Sequence, residues 1–365
     1  MNIFEIFWTE LTVCNAILYC ILVSLCFPSY TEKRFHFCKN RFLIYAFLLL
    51  FCLIAVHDAD YFHYIQALNC LKKGYPSNLE DVYLMIAEFC NYQNLQFRAI
   101  VWGGAILIFS IAIKRLDLHE SLVLFFFVTL FLLRFSYARA SLSMSIALLG
   151  FTYIIRPKYQ KVFSIAGGIA LILCSLYFHK SAIFWIPIFI LSLIQFKRFW
   201  LCVLLLIFPF LTVFLTGYVI PYFITGLGSD IVASSFQHYT SEWSRTYGIS
   251  GYIKIILSRS PYYLFLLSFI VSCLNKKHER LSFSEKAILN CTFFIIYLSS
   301  IFLFSSSTYV LYYRFLYFAI LPMSLSLCIM KRYHFYTNII RIILYLGATS
   351  SLYELSYAFY VSILE

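Results

Sequence analysis

Charge is scarce in this chain. Asp, Glu, Lys and Arg make up only 12% of its 365 residues, and no polar stretch is long enough to form a soluble domain. Repeats of solenoid period, low-complexity tracts and linkers are also lacking. No P-loop and no G-x-G-x-x-G unit occurs, and the basic segments between apolar runs are short. They leave no room for a nucleotide-binding domain, so chemistry driven by a cytoplasmic nucleotide or nucleotide-sugar is not expected. No C-x-x-C pair is present among the 12 cysteines, which argues against a zinc or redox motif. The first apolar run has no basic segment ahead of it, so it is expected as a retained span rather than a cleaved signal.

Apolar residues fill the space that charge leaves. The chain is 62% hydrophobic, with a mean hydropathy of +0.84. Runs able to cross ~30 Å of hydrocarbon recur from end to end. The expected fold class is all-α: a polytopic transmembrane helix bundle, one integral membrane domain over residues 1–365. About twelve spans are expected, near 8–28, 42–56, 97–113, 119–135, 138–155, 162–178, 182–196, 199–219, 260–274, 286–305, 310–330 and 337–356. Basic clusters follow alternate spans: Lys33 to Arg41, Lys114-Arg115, Arg156 to Lys161, Lys197-Arg198, Lys276 to Arg280, and Lys331-Arg332. If the spans alternate, every cluster falls on one side, and that side is the cytoplasm. The net charge of +12 thus orients the protein and does not imply nucleic acid. Both termini then lie outside, as do two longer loops, about 57–96 and 220–259. Cys70 and Cys90 share the first of these. A disulfide is one option there, and two free thiols the plainer one.

Four arginines break the charge rule. Arg98, Arg134, Arg139 and Arg314 sit at span ends that face away from the cytoplasm. An ionisable group at a span is costly and calls for a compensating anion. At the outer face that anion is a phosphate or diphosphate head group. A guanidinium grips it through two parallel hydrogen bonds and stays charged. The alternative is snorkelling, or pairing with Asp58, Asp60 or Glu88. Arg139 precedes Ala140-Ser141-Leu142-Ser143-Met144-Ser145, a small-residue run that lets helices pack closely.

Three further groups carry candidate chemistry. Asp60 and Tyr64 are four apart, as are His57 and Tyr61, so each pair can share one face of a short helix along the membrane surface. A carboxylate there, Asp58 or Asp60, can act as general base toward a sugar hydroxyl, and Tyr61 and Tyr64 can stack on sugar rings. A solvated loop with interfacial tyrosines is the plainer alternative. His179-Lys180-Ser181 forms an outer turn where His179 can serve as acid, base or phosphate ligand, or be only a polar turn. No second histidine stands at ligand spacing, so no metal site is expected. The second outer loop, with Asp230, His238, Trp243 and Arg245, has the aromatic and mixed-charge character of a carbohydrate-facing segment or of a simple cap.

Three of these pieces, in order, resemble the EpsG-like branch of bacterial exopolysaccharide and O-antigen (Wzy-type) polymerases. They are Asp58-Ala59-Asp60-Tyr61-Phe62-His63-Tyr64, then Tyr137-Ala138-Arg139 with its small-residue helix, then Phe178-His179-Lys180-Ser181-Ala182. Tyr312-Tyr313-Arg314-Phe315 is similar in character to a late family arginine. Ser141 and Leu142 stand where the family often has Gln or Leu. The resemblance implies a glycosyltransferase that moves a growing glycan from undecaprenyl diphosphate onto the next lipid-linked repeat unit. The reaction would run at the outer face of the bacterial cytoplasmic membrane. The implied partners are the undecaprenyl-diphosphate-linked oligosaccharide, the bilayer and a chain-length regulator protein, with no cofactor. Arginines would hold the leaving diphosphate, and Asp58, Asp60 or His179 would take the acceptor proton. Two rivals remain open at this point: a glycosyltransferase using polyprenyl-phosphate sugars, and a lipid-linked oligosaccharide flippase. A flippase would want internal pseudo-symmetry and a cationic path, neither of which is visible here.

Overall fold

The computed structural model describes residues 3–27, 41–54, 59–76, 79–135, 138–157, 160–194, 198–215, 249–301 and 315–364. Among these no strand occurs and helices dominate, as expected for an all-α chain. In chain order they are α1 (Ile3–Cys26), α2 (Arg41–Leu53), α3 (Ala59–Lys72), α4 (Asp81–Phe89), α5 (Asn94–Arg115), α6 (Glu120–Phe131) and α7 (Ala138–Ile155). There follow α8 (Lys161–Phe178), α9 (Trp185–Ser192), α10 (Arg198–Phe214), α11 (Ile249–Leu274), α12 (Phe283–Ile301), α13 (Ile320–Arg332) and α14 (Thr337–Leu364). Among the described residues, three helical stretches are long and apolar enough to cross a bilayer: Asn94–Arg115, Lys161–Phe178 and Ile256–Leu274. Shorter apolar helices surround them.

Two expectations are revised. The segment 57–96 is not a plain loop, because α3 and α4 lie within it. At 14 and 9 residues they are helical but too short to cross a bilayer. The ninth span is not short: α11 begins at Ile249 and runs 26 residues, taking in the end of the expected second loop.

The packing explains why this sequence suits lipid. Every residue of α6 is buried, and so is nearly every residue of α12 and of α13 up to Met330. Around this core, α8 and α10 turn Phe163, Leu173, Leu206, Phe210 and Val213 outward. An apolar centre with an apolar rim has no stable arrangement in water, and the chain is a membrane protein. Hydroxyls and amides tie the helices together where no hydrophobic force can. Ser143 Oγ donates to the Ser175 carbonyl at 2.9 Å, Tyr297 to the Leu204 carbonyl at 2.6 Å, and Tyr19 to the Thr129 carbonyl at 3.0 Å. Asn290 Nδ2 donates to the Ser192 and Ile194 carbonyls at 3.2 and 2.9 Å.

The basic clusters do meet at one end. Arg115 and Arg156 exchange Nη-to-carbonyl bonds of 3.1 Å, and Arg156 pairs with Asp117. Arg332 Nη2 donates to the Asp117 carbonyl at 2.7 Å, and Arg332 Nη1 lies 3.3 Å from Glu285 Oε1. Ser282 and Glu285 form a capping box at the start of α12: the Ser282 N–H donates to Glu285 Oε2 at 2.9 Å, and Ser282 Oγ faces the Glu285 N–H at 3.4 Å. Tyr333 donates to the same carboxylate at 3.0 Å. Lys277 lies 4.5 Å from the Tyr336 ring centre. Residues from four separate clusters thus share the end formed by the C-termini of α5, α7, α11 and α13.

Candidate functional site at the opposite end

At the opposite end, a chain of aromatic rings gathers the two helices of the 57–96 segment onto the bundle. The Tyr64 and Phe97 rings are 6.0 Å apart, Tyr83 and Phe97 6.2 Å, and Tyr83 and Phe178 6.1 Å. This path joins α3, the start of α5, α4 and the end of α8. Tyr64 is buried on it. The helix α3 does place Asp60 and Tyr64 one turn apart, as their spacing predicts.

Arg98 follows Phe97 in the first turns of α5. It is only 1% exposed. Its Nη2 donates to the Cys52 carbonyl at the end of α2, 3.0 Å away, and its guanidinium lies 4.1 Å from the Trp102 ring centre. Arg98 therefore stitches α5 to α2.

The His179 turn is built by local bonding. The His179 N–H donates to the Ser175 carbonyl at 3.1 Å, and its own carbonyl accepts from Ala182 at 2.9 Å. Its backbone is extended, which breaks α8 and starts the short 3-10 turn Lys180–Phe184. The imidazole Nδ1 lies 3.0 Å from Glu80 Oε1, with side chains 28% and 15% exposed. Glu80 precedes α4. Its carbonyl accepts from Tyr83 and Leu84, but its carboxylate makes no cap bond to its own helix.

A second convergence involves the arginine-bearing segments. Arg134 closes the 3-10 turn Leu132–Arg134, and Arg139 is the second residue of α7. Just beyond it, Ser141 Oγ donates to the Phe135 carbonyl at 2.5 Å and lies 2.9 Å from the Tyr317 hydroxyl. With its one proton spent on Phe135, Ser141 accepts from Tyr317. The Phe184 and Phe315 rings are 4.5 Å apart. The turn between α6 and α7, the turn after His179 and the chain entering α13 therefore meet. The seam between α7 and α8, the most extensive helix contact described, holds them in register.

Of the candidate residues, Asp60, Tyr61, Arg134 and Arg139 are described through their backbones alone, and Asp58 and Arg314 lie outside the described residues, as does 216–248. Cys70 and Cys90 are free thiols, the plainer of the two readings. Among the described residues no group of three His, Cys, Asp or Glu is placed to hold a metal ion. Sequence reasoning missed Glu80, which stands 99 positions from its partner with no local signal. It also missed Arg259. That residue is 7% exposed within the candidate span of α11. An arginine inside a span is a signal that a correctly drawn helix start would have exposed.

No curated protein and no solved structure matches the chain. A family model described as the EpsG family matches residues 40–362, all but the first helix and the last few residues. On that coverage, with the three motif segments set around one end of the bundle, this chain belongs to the EpsG family.

Proposed function

We propose that the protein is a repeat-unit polymerase of a bacterial surface polysaccharide, working at the outer face of the cytoplasmic membrane. Family membership supports a membrane polysaccharide polymerase role. The basic end is cytoplasmic by the positive-inside rule, so the opposite end faces outward. The observation that carries the reading is the convergence at Ser141: its bonds to Phe135 and Tyr317 bring together the segments that bear Arg134 and Arg139 and the chain entering α13 from Phe315, the residue after Arg314 in sequence.

In this reading Arg139 and Arg314 hold the diphosphate of undecaprenyl-diphosphate-linked glycan, with Arg134 beside them and Arg98 bracing α5. The acceptor hydroxyl of the next lipid-linked unit attacks the anomeric carbon. The bond to the diphosphate breaks, and its electron pair goes to an oxygen that the guanidinium groups stabilise. Removing one preorganised contact of this kind costs about 10²–10³ in rate. Asp60 and Tyr61 on α3, with Asp58 just ahead, supply sugar contacts, while Tyr64 is taken up by packing against Phe97. The acceptor proton goes to Asp58, Asp60 or His179.

The test is the length ladder of the surface polysaccharide in a deletion strain carrying each variant at normal protein level. Arg139→Ala should abolish long chains and keep single repeat units. Arg139→Lys keeps charge but loses the planar fork, so it should be nearly as damaging. A full ladder from Arg139→Ala would refute the role. Loss of the single-unit band in the deletion strain would favour a flippase or a polyprenyl-phosphate-sugar glycosyltransferase.

A further inference from the structure

The geometry points to a Glu80–His179 dyad as the proton-accepting centre, an inference that rests on the polymerase reading above. His179 Nδ1 and Glu80 Oε1 are 3.0 Å apart. An ionised carboxylate only accepts hydrogen bonds, so Nδ1 must carry the hydrogen. In the neutral ring, Nε2 is then left with its lone pair. That is the tautomer a general base needs, and Glu80 selects it.

The placement of both partners argues for more than an incidental surface contact. A carboxylate at the start of a helix gains from the partial positive charge of the first-turn amides, with or without a direct bond to them. Glu80 stands at that position before α4, and its side chain makes no such bond. It reaches instead to His179 in the turn that ends α8. The T-shaped contact of Tyr83 with Phe178 packs α4 against the residue preceding His179. The extended backbone at His179 is held by Ser175 and Ala182. The ring is thus fixed at both its backbone and its Nδ1. The pair is partly buried, so the unfolding midpoint is read beside the rate to separate a loss of catalysis from a loss of stability.

The step balances as follows. The acceptor O–H proton passes to His179 Nε2 as its oxygen bonds to the anomeric carbon of the donor glycan. The anomeric carbon–diphosphate bond breaks, and the polyprenyl diphosphate leaves with the electron pair. The imidazolium, stabilised through Nδ1 by Glu80, then returns its proton to water. His179 is the catalytic residue and Glu80 a positioning residue.

The experiment uses the full-length protein reconstituted in vesicles. The probe is the pool of lipid-linked repeat units extracted from a strain deleted for this gene. His179→Gln should lower kcat about 10²–10⁴-fold with little change in KM. Glu80→Ala should lose most of that, whereas Glu80→Gln should recover part of it, because an amide oxygen still accepts from Nδ1–H. The double variant should be no worse than His179→Gln alone. Unfolding midpoints should match the wild type throughout. Full kcat in Glu80→Ala, or losses that multiply in the double variant, would overturn the dyad while leaving the polymerase intact. Failure of the wild-type protein to extend the extracted units would overturn the polymerase reading, and the dyad with it.

Discussion

Two neighbouring glycines on α8 should respond to alanine in opposite ways. A Cβ at Gly168 would lie 2.6 Å from the Gly150 carbonyl oxygen, 2.8 Å from Ile154 Cγ1 and 3.1 Å from Tyr153 Cβ. A relaxed carbon–oxygen contact is about 3.3 Å or longer, so α7 and α8 must part by roughly 0.7 Å at this point. A gap of that size forfeits a quarter to a half of each facing pair's ~0.1–0.2 kcal/mol attraction. Over tens of pairs in this seam the loss is about 1–3 kcal/mol, the usual scale of overpacking. The Ser143–Ser175 bond, 2.9 Å long and two turns away, would weaken as well, costing up to about 1 kcal/mol. Replacing glycine in a helix returns about 1 kcal/mol. The net loss for Gly168→Ala is therefore about 2 kcal/mol. A Cβ at Gly167 meets nothing within 4 Å, so Gly167→Ala keeps the helix gain and should be neutral or stabilising by up to about 1 kcal/mol. The assay is thermal unfolding in detergent, read by a thiol-reactive fluorophore, since Cys52, Cys291 and Cys328 are buried. Because the seam aligns the Arg139 and His179 segments, Gly168→Ala should also shorten the polysaccharide ladder. An unfolding midpoint for Gly168→Ala at or above that of Gly167→Ala would refute the close-packed seam.

Two further outcomes follow from the basic end. Glu285→Ala removes the capping box of α12 and the contacts to Arg332 and Tyr333. It should cost about 2–4 kcal/mol, with Glu285→Gln intermediate. An unchanged unfolding midpoint would show that the clasp is idle. His278, in the turn between α11 and α12, is 3% exposed. Burial, with Lys286 as a second cause and Asn290 opposing, pushes its pKa from 6.5 down to about 4. Between those values the unfolded chain binds the extra proton, so stability is full above pH 6.5 and falls by about 3 kcal/mol as pH drops toward 4. His278→Phe should flatten this decline in the same unfolding assay; an equally steep decline in that variant would assign the acid sensitivity to other groups.

Hydropathy found apolar runs but could not find every helix. Ser250, Gly251, Lys254 and Arg259 hid the first part of α11, because they lower hydropathy without breaking a helix. The 57–96 segment was hidden in the same way, and only the four-residue spacing of Asp60 and Tyr64 betrayed α3. The basic clusters were more reliable, since each reports a helix end, and those of Arg115, Arg156, Lys277 and Arg332 do converge. Glu80 and the Ser141–Tyr317 bond span 99 and 176 positions. Contacts that distant leave no periodicity in a single chain, so the candidate site was legible in its His179 and arginine motifs but not in what orients them.

The clasp at the basic end also sets an order of events during synthesis. Asp117 must wait for Arg332, which arrives 215 residues later. A ribosome adding about 5–20 residues per second needs about 10–40 s to deliver it. Through that interval Arg156, only 39 positions on, can occupy the Asp117 carboxylate. The nascent bundle therefore has an early, local latch and a late, long-range one that forms only when the end of α13 emerges.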